Sequence, residues 1–277
     1  MFNDSFYLTA WGVCMDFVRK SRYGIEDLLR IITILRAPDG CPWDREQTHE
    51  SIRKNLIEET YEVADAIDLQ DAHLLQEELG DLLLQVLLHT EMERENGVFD
   101  FEDVCDTLCQ KLVHRHPHVF GDVQADSSGQ VLRNWEALKN EEKGRNTAKE
   151  RLASVPASLP ALMRSEKLQK RAAEFGFCYP DVSAAMSDLE SEVAELKQAL
   201  QGNGNPADEV GDVLFAATNV SRMLDADAEE ALTRSAGRFA ARVTKVEELA
   251  EESGRKMSEL DAHELDCFWR AAKKEEK

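Results

Sequence analysis

Apolar residues recur along this chain at intervals of three and four positions rather than at every second position. Four stripes of this kind precede residue 120, and each has the spacing of one face of an α-helix. The segment Glu95–Asp100 supplies a glycine stop and a new helix start between the last two. The pattern therefore predicts an all-α protein. The stripes are Leu28, Ile31, Ile32 and Leu35; Leu56, Val63, Ala64 and Ile67; Leu79, Leu82, Leu83, Val86 and Leu87; and Val104, Leu108 and Leu112.

The helical pattern stops in the middle of the chain and then resumes. Residues 121–157 are polar and rich in turn-forming residues, with Trp135 on a short predicted helix, and we interpret them as a linker. Beyond them, helices are predicted for 162–175, 182–200, 207–224 and 228–250, with a tail near 265–269. The predicted organisation is an extension at 1–24, in which Met15 is a candidate natural start, a helical domain at 25–120, the linker, and a second helical domain at 158–277.

The second half of the chain repeats the first. The segment "SEVAEL" at Ser191–Leu196 parallels "EETYEV" at Glu58–Val63, and "DEVGDVLFAATN" at Asp208–Asn219 parallels "EELGDLLLQVLL" at Glu77–Leu88. Matching positions keep their order and nearly their register, which is the pattern of an internal duplication. The sequence therefore predicts two tandem helical-bundle repeats.

Each repeat carries two pairs of acidic residues on neighbouring helices. In the first repeat, Glu59 pairs with Glu62 and Glu78 with Asp81; members of a pair are three positions apart and share a helix face. A short connection folds the two helices antiparallel and brings all four carboxylates to one seam. Like charges about 4 Å apart repel by roughly 4 kcal/mol at an effective dielectric constant of 20, so the cluster needs raised pKa values or a cation. The counterparts in the second repeat are Glu192, Glu195, Glu209 and Asp212.

A set of carboxylate donors without histidine suits Mg²⁺, or Mn²⁺, better than zinc or copper. A carboxylate-bridged di-iron bundle is the nearest alternative, but it requires Glu-x-x-His on two core helices. The chain offers only Glu46 and His49, in a turn-like segment. A solvated acidic face is the simplest interpretation of one such pair, whereas its repetition in both halves beside apolar residues favours a metal site.

Composition and charge narrow the class of protein. Hydrophobic residues make up 43% and charged residues 31% of the chain, as in soluble globular proteins, and the net charge is −21. Such a charge argues against a nucleic acid or an anionic membrane as partner. Six cysteines without a CxxC pair indicate reduced thiols and a cytoplasmic protein. No apolar run is long enough for a membrane span, and no signal-peptide pattern is expected.

Together with these acid pairs, three longer segments make a specific resemblance. The chain resembles the MazG family of nucleoside triphosphate pyrophosphohydrolases, and within it the full-length, tandem-domain bacterial form. The resemblance covers roughly residues 25 to 272. The segments are "GCPWDREQT" at Gly40–Thr48, "HRHPHVFGDV" at His114–Val123 and "SLPALMRSEKLQKRAAEFGF" at Ser158–Phe177.

The resemblance implies an all-α fold that binds ATP and other nucleoside triphosphates, in which the eight acids hold Mg²⁺. It implies cleavage between the α- and β-phosphates, giving the monophosphate and pyrophosphate, with little dependence on the base. Substrate contacts are implied at Lys111 and Arg115 in the first repeat and at Arg238, Arg242 and Trp269 in the second. Trp269 matches a tail tryptophan that can lie over a nucleotide base.

The two repeats differ at one acidic position. Glu58 precedes the first pair, whereas Ser191 stands at the corresponding place in the second repeat. We nevertheless expect the second repeat to be catalytic, because Trp269 belongs to it. One repeat is thin for enclosing a nucleotide, so a homodimer formed through helix faces is expected. A non-catalytic helical regulatory or scaffold module that kept the acids is the alternative function.

Overall fold

The computed structural model describes residues 17–142, 144 and 146–275. All regular structure in these residues is helical, so the all-α prediction is confirmed. Most of the predicted extension, including Met15, lies outside the described residues. The chain divides into two compact units between Glu136 and Ala137.

The first unit is built on a long antiparallel hairpin of two helices. It contains α1 (Ile25–Arg36), α2 (Pro42–Glu46), α3 (His49–Asp68), α4 (Ala72–Asn96), α5 (Phe101–Arg115), α6 (Pro117–Phe120) and the start of α7 (Ser128–Glu142). The hairpin consists of α3 and α4, and α1 and α5 pack against α4. The core holds Ile32, Ile52, Leu87, Leu88 and Met92, with Leu28, Leu29, Leu35, Leu83, Leu84 and Phe101 around it.

Local sequence explains where the hairpin helices begin and end. The Thr48 hydroxyl accepts from the backbone N–H of Ser51 at 3.2 Å and caps α3. The Asp71 carboxylate accepts from the N–H groups of His73 and Leu74 and caps α4. Gly97 ends α4 with a left-handed φ of 70°, as the glycine stop predicted.

The second unit repeats this plan with a shorter hairpin. It contains the end of α7, α8 (Ala148–Ala153), α9 (Ala161–Ala173), α10 (Val182–Ala199), α11 (Pro206–Met223), α12 (Ala228–Glu252), a short 3-10 helix (Met257–Glu259) and α13 (Ala262–Glu275). Here α10 and α11 form the hairpin, α9 packs on α11, and α13 packs on α12. The predicted linker thus contains α8 as well as the helix that carries Trp135.

Small residues dominate the buried positions of the second unit. They include Ala185, Ala199, Ala216, Ala250 and Ala272. Larger apolar side chains such as Val210 and Leu214 are exposed. None of the helices formed by the described residues is both long and apolar enough to span a bilayer. The cysteines at 41, 105, 109, 178 and 267 are free thiols.

Candidate metal centre

The first acidic cluster lies where α3 and α4 face each other. Glu59, Glu78 and Asp81 each offer one carboxylate oxygen, and the three oxygens lie within 4.8 Å of one another. Glu62 is outside this closest set, but its side chain is hydrogen-bonded to Glu59. The structure therefore brings together all four acids that the sequence predicted for the first repeat.

The pKa values of two carboxylates in this cluster are raised. Burial raises the pKa of Glu59, and the hydrogen bond and negative charge of Glu62 raise it further. Burial also raises the pKa of Glu78, with the charges of Glu62, Glu77 and Asp81 acting in the same direction. Both shifts arise because burial disfavours the ionised carboxylate and the neighbouring negative charges disfavour it further. A bound cation would remove that penalty.

The second acidic cluster lies at the seam of α10 and α11. Glu192, Glu195 and Glu209 each place a carboxylate oxygen within 4.8 Å of the other two. Burial raises the pKa of Glu192, followed by the charges of Glu195, Asp188, Asp212 and Glu209. Asp212 is therefore close enough to act on Glu192, although it is outside the closest set of three.

Two side chains at the second cluster were not predicted in this role from the sequence. Asp188 lies one helical turn before Glu192 on α10, and it is hydrogen-bonded to the hydroxyl of Tyr179. The signal was present in the four-residue spacing of Asp188 and Glu192, which places both on one helix face. Ser191, which stands where the first repeat has Glu58, donates its hydroxyl hydrogen to the Glu195 carboxylate at 3.4 Å.

The turn between α10 and α11 shapes the edge of this cluster. Asn205 caps α11 by accepting from the N–H of Ala207 at 3.1 Å, and Pro206 occupies the first turn of the helix. Gly204 has a φ of 138°, and a Cβ atom there would lie 3.6 Å from a carboxylate oxygen of Glu209. A side chain at this position would therefore be both strained and close to the acids.

The predicted basic and aromatic residues occupy other helices. Arg242 on α12 lies with its guanidinium 5.8 Å from the ring centre of Trp269 on α13, and Lys273 places its ammonium 5.5 Å from the same ring. Phe239 packs against Trp269 at 5.5 Å between ring centres. The structure thus brings Arg242 and Trp269 together, on α12 and α13, whereas the acids lie on α10 and α11. Arg238 is exposed on α12.

In the first unit, the basic candidates lie on α5. Arg115 is buried, and its guanidinium lies 5.5 Å from the ring centre of Trp135. Lys111 is half-buried one turn earlier on the same helix. Arg115 therefore has a cation–π contact with an aromatic ring, as Arg242 has in the second unit.

The residues of the di-iron alternative are not arranged as that alternative requires. Glu46 ends α2, whereas His49 begins α3. His49 contacts His89 and Glu93 instead, through its two ring nitrogens, each at 2.7 Å. The donor sets that do converge consist of carboxylates, and such oxygen donors fit a hard divalent cation such as Mg²⁺ or Mn²⁺.

Comparison with known proteins agrees with this geometry. A sequence model described as the MazG nucleotide pyrophosphohydrolase domain matches residues 47–120, which contain the whole first cluster. Two named relatives match nearly the full length of both chains. The protein named nucleoside triphosphate pyrophosphohydrolase/pyrophosphatase MazG from Thermotoga maritima is 42% identical over 90% of this chain and 95% of its own. The nucleoside triphosphate pyrophosphohydrolase of Escherichia coli strain K12 is 41% identical over 91% of this chain and 98% of its own.

A third relative contains a similar segment within a longer protein. The uncharacterised protein YabN of Bacillus subtilis is 43% identical over 89% of this chain, which covers 51% of YabN. The two relatives matched nearly end to end include both repeats, so the likeness is not confined to the first cluster. The resemblance predicted from the sequence is confirmed, and this chain belongs to the MazG family of nucleotide pyrophosphohydrolases.

Proposed function

We propose that this protein hydrolyses nucleoside triphosphates to the monophosphate and pyrophosphate, with little dependence on the base, and that it requires Mg²⁺, for which Mn²⁺ can substitute. The observation that carries the proposal is the convergence of three carboxylates within 4.8 Å on adjacent helices, found once in each unit. Relatives matched over nearly their whole length bear the name of this activity, which supports the same reaction here.

The acids would hold the metal, and other residues would hold the substrate. Bound Mg²⁺ would neutralise phosphate charge and polarise the α-phosphoryl group. Glu192, Glu195, Glu209 and Asp212 are the proposed metal ligands and catalytic residues of the second unit, and Glu59, Glu62, Glu78 and Asp81 are the proposed ligands of the first. With a net charge of −21, the protein attracts a triphosphate only where metal or basic residues reverse the local field. The proposed substrate contacts are Arg238, Arg242, Trp269, Lys111 and Arg115.

The second unit is proposed as the catalytic one. Its acids lie beside Asp188 and Tyr179, and its Ser191 hydroxyl donates to the Glu195 carboxylate at 3.4 Å. The basic and aromatic cluster of Arg242 and Trp269 also belongs to this unit. Ser191, which stands where the first repeat has Glu58, thus contacts a proposed metal ligand.

Release of pyrophosphate from a mixture of nucleoside triphosphates, with and without Mg²⁺, tests the activity. We expect metal-dependent release from the wild-type chain. The double variant Glu195→Gln with Glu209→Gln should lose it, whereas Glu62→Gln with Glu78→Gln should retain most of it. Absence of release in both conditions would favour the scaffold alternative, and full activity of the first double variant would place catalysis in the first unit.

A homodimer is proposed because both hairpins expose large apolar side chains. Ile57, Tyr61 and Leu79 are 40%, 54% and 49% exposed on the first hairpin, and Val210 and Leu214 are 45% and 51% exposed on the second. Burying such faces against a second copy removes apolar area from water. Light scattering should give the mass of a dimer, and a monomeric mass at micromolar concentration would contradict the proposal.

Free thiols support a cytoplasmic location, and neither a nucleic acid nor a membrane is proposed as a partner.

A further inference from the structure

The outward surface of α9 carries a row of basic side chains. Arg164, Lys167 and Lys170 follow one another at three-residue intervals, and all three are exposed. Side chains at this spacing are neighbours on the surface of a helix. The inward surface carries Leu168, which is half-buried, and Gln169, which is buried. Arg164, Lys167 and Lys170 together form the cationic face of α9.

The cationic face has no acidic partner among the residues that the structure describes. Within that part of the chain, none of its three side chains takes part in an ion pair or a hydrogen bond. The neighbouring Arg171 and Arg151, by contrast, both bind Glu174, at 2.6 and 3.0 Å. The chain has 54 acidic and only 33 basic residues, so carboxylates are abundant. Three adjacent cations without one keep their charge available to solvent.

The charge of α9 is opposite in sign to that of the whole chain. The helix has four basic residues and one acidic residue, whereas the whole chain has a net charge of −21. The corresponding helix of the first unit is α1, which packs on α4 as α9 packs on α11, and it has two basic and two acidic residues. There, Arg36 is bound to Glu95, and the charge of Arg30 acts on Asp27. The cationic face is therefore not a feature that these two helices share.

The packing of α9 on α11 sets the distance between this face and the second acidic cluster. Nε2 of Gln169 donates to the backbone carbonyl of Phe215 at 2.8 Å, and Phe215 lies three residues after Asp212 on α11. Three residues span about 4.5 Å along a helix, and packed helices lie about 8–10 Å apart. The cationic face is on the far side of α9, so its charges lie on the order of 20 Å from the acids. Its side chains are thus too distant to contact phosphates bound at the cluster, but their charge acts across the space in front of it.

We propose that the cationic face of α9 attracts nucleoside triphosphates toward the second acidic cluster before they are bound. The proposal rests on the proposed function of that cluster. At long range the net charge of the chain repels a triphosphate, and a row of unpaired cations near the site reverses the direction of that force locally. The attraction extends over about one Debye length, which is about 30 Å at 0.01 M salt and about 8 Å at 0.15 M. It therefore raises the association rate in a salt-dependent manner and leaves the chemical step unaltered.

The neutral triple variant Arg164→Gln, Lys167→Gln and Lys170→Gln tests the attraction, because all three side chains are exposed. The measurement is stopped-flow association, with Mg²⁺, of a fluorescent ATP analogue that has a methylene group between the α- and β-phosphates. At about 0.01 M ionic strength we expect the association rate to fall roughly three- to tenfold, and the dissociation rate and kcat for ATP to change by less than about twofold. At about 0.5 M the association rates of variant and wild type should agree within about twofold. The loss should also decrease from the ATP analogue to the corresponding ADP and AMP analogues, because their charge is smaller.

A matched control separates the position of the charges from the net charge of the chain. Arg22, Arg53 and Lys54 are exposed basic residues of the first unit, and replacing all three with Gln changes the net charge by the same amount. The association rate of this control triple should stay within about twofold of the wild-type rate. Equal losses in the two triple variants would assign the effect to net charge and would overturn the proposal.

A charge-retaining variant separates attraction at a distance from direct contact. Arg164→Lys combined with Lys167→Arg and Lys170→Arg keeps all three charges but changes the geometry of their hydrogen-bond donors. Its association rate should equal that of the wild-type chain. A loss as large as that of the neutral triple variant would mean that these side chains bind the nucleotide directly, and the proposal would be wrong.

Two further outcomes separate this inference from its alternatives. If the neutral triple variant changes the mass found by light scattering while the association rate stays the same, the face belongs to an interface between copies of the chain, and the inference is overturned. If the wild-type chain binds the nucleotide but releases no pyrophosphate from ATP, the proposed function fails, and the association rates still decide the inference. Equal rates for the wild-type chain and the neutral triple variant at low salt, or no association with the wild-type chain, would overturn it.

Discussion

Replacing Glu192 with Gln removes one negative charge from the second acidic cluster and preserves the size of the side chain. The carboxylates of Glu192, Glu195 and Glu209 lie within 4.8 Å of one another, so the change removes two repulsive pairs. At that distance one pair costs about 3.5 kcal/mol at an effective dielectric constant of 20 and about 0.9 kcal/mol in bulk water. Because these side chains are partly exposed, the value lies nearer the water limit, and we expect the metal-free protein to gain about 1–2 kcal/mol in free energy of unfolding.

Thermal unfolding followed by circular dichroism measures this gain. In the presence of EDTA, Glu192→Gln should raise Tm by about 3–6 °C for a unit of this size. With Mg²⁺, the wild-type chain should gain stability and the variant much less, because one proposed ligand is missing. Release of pyrophosphate should fall at least about tenfold. Glu190→Gln is the matched control, since Glu190 is an exposed acid on the same helix outside the cluster.

The opposite pattern would refute the electrostatic reasoning. A lower Tm for Glu192→Gln in EDTA would mean that the carboxylate makes a stabilising contact rather than a repulsive one. An undiminished gain in Tm with Mg²⁺ would mean that the cation binds elsewhere. If Glu190→Gln stabilised the metal-free protein as strongly, the effect would belong to the net charge of the whole chain and not to the cluster.

Three more predictions concern the pH dependence and the packing of the first unit. Because the pKa values of Glu59 and Glu192 are raised, the folded protein binds protons at these groups more tightly than the unfolded chain does. The stability that this protonation contributes is lost as the pH rises through the raised pKa values. In EDTA, Tm should therefore increase on mild acidification from neutral pH, while the gain in Tm on adding Mg²⁺ should shrink. A Tm in EDTA that falls steadily as the pH is lowered from neutral would contradict this prediction. Ile52→Ala should destabilise the first unit by about 2–5 kcal/mol in chemical denaturation, since Ile52 is 1% exposed in the core; a change below about 1 kcal/mol would show that the core relaxes there. Gly40→Ala should also destabilise, by about 1–3 kcal/mol, because its Cβ atom would meet backbone carbonyl oxygens at the end of α1; an unchanged Tm would show that this turn can shift.

The helices and the pairing of acids could be predicted because they depend on local spacing. Apolar residues at three- and four-residue intervals determined α3 and α4, and residues three apart on one helix share a face whatever else the chain does. The spacing could not show which of the four acids in each repeat lie nearest to one another. Packing distinguishes them: Glu62 and Asp212 lie outside the closest sets of three.

Other features depend on tertiary packing and were therefore missed. The polar segment that contains Gln169 shows only helical spacing; its burial arises because α9 packs on α11. The contact of Arg242 with Trp269 joins two helices that no local pattern relates. The helix α8, by contrast, could have been predicted from the sequence. Thr147 and Glu150 form a capping box within the predicted linker, and this motif is visible in the sequence itself.

Each acidic cluster comes from a single helical hairpin, α3 with α4 or α10 with α11. All four carboxylates of a cluster therefore meet as soon as one short loop closes, and their convergence does not wait for distant parts of the chain. Duplication of one such hairpin therefore duplicates all four proposed metal ligands at once. The two copies can then accumulate different substitutions. The presence of Glu58 in the first repeat and of Ser191 at the corresponding position of the second is an example of such a difference between the copies.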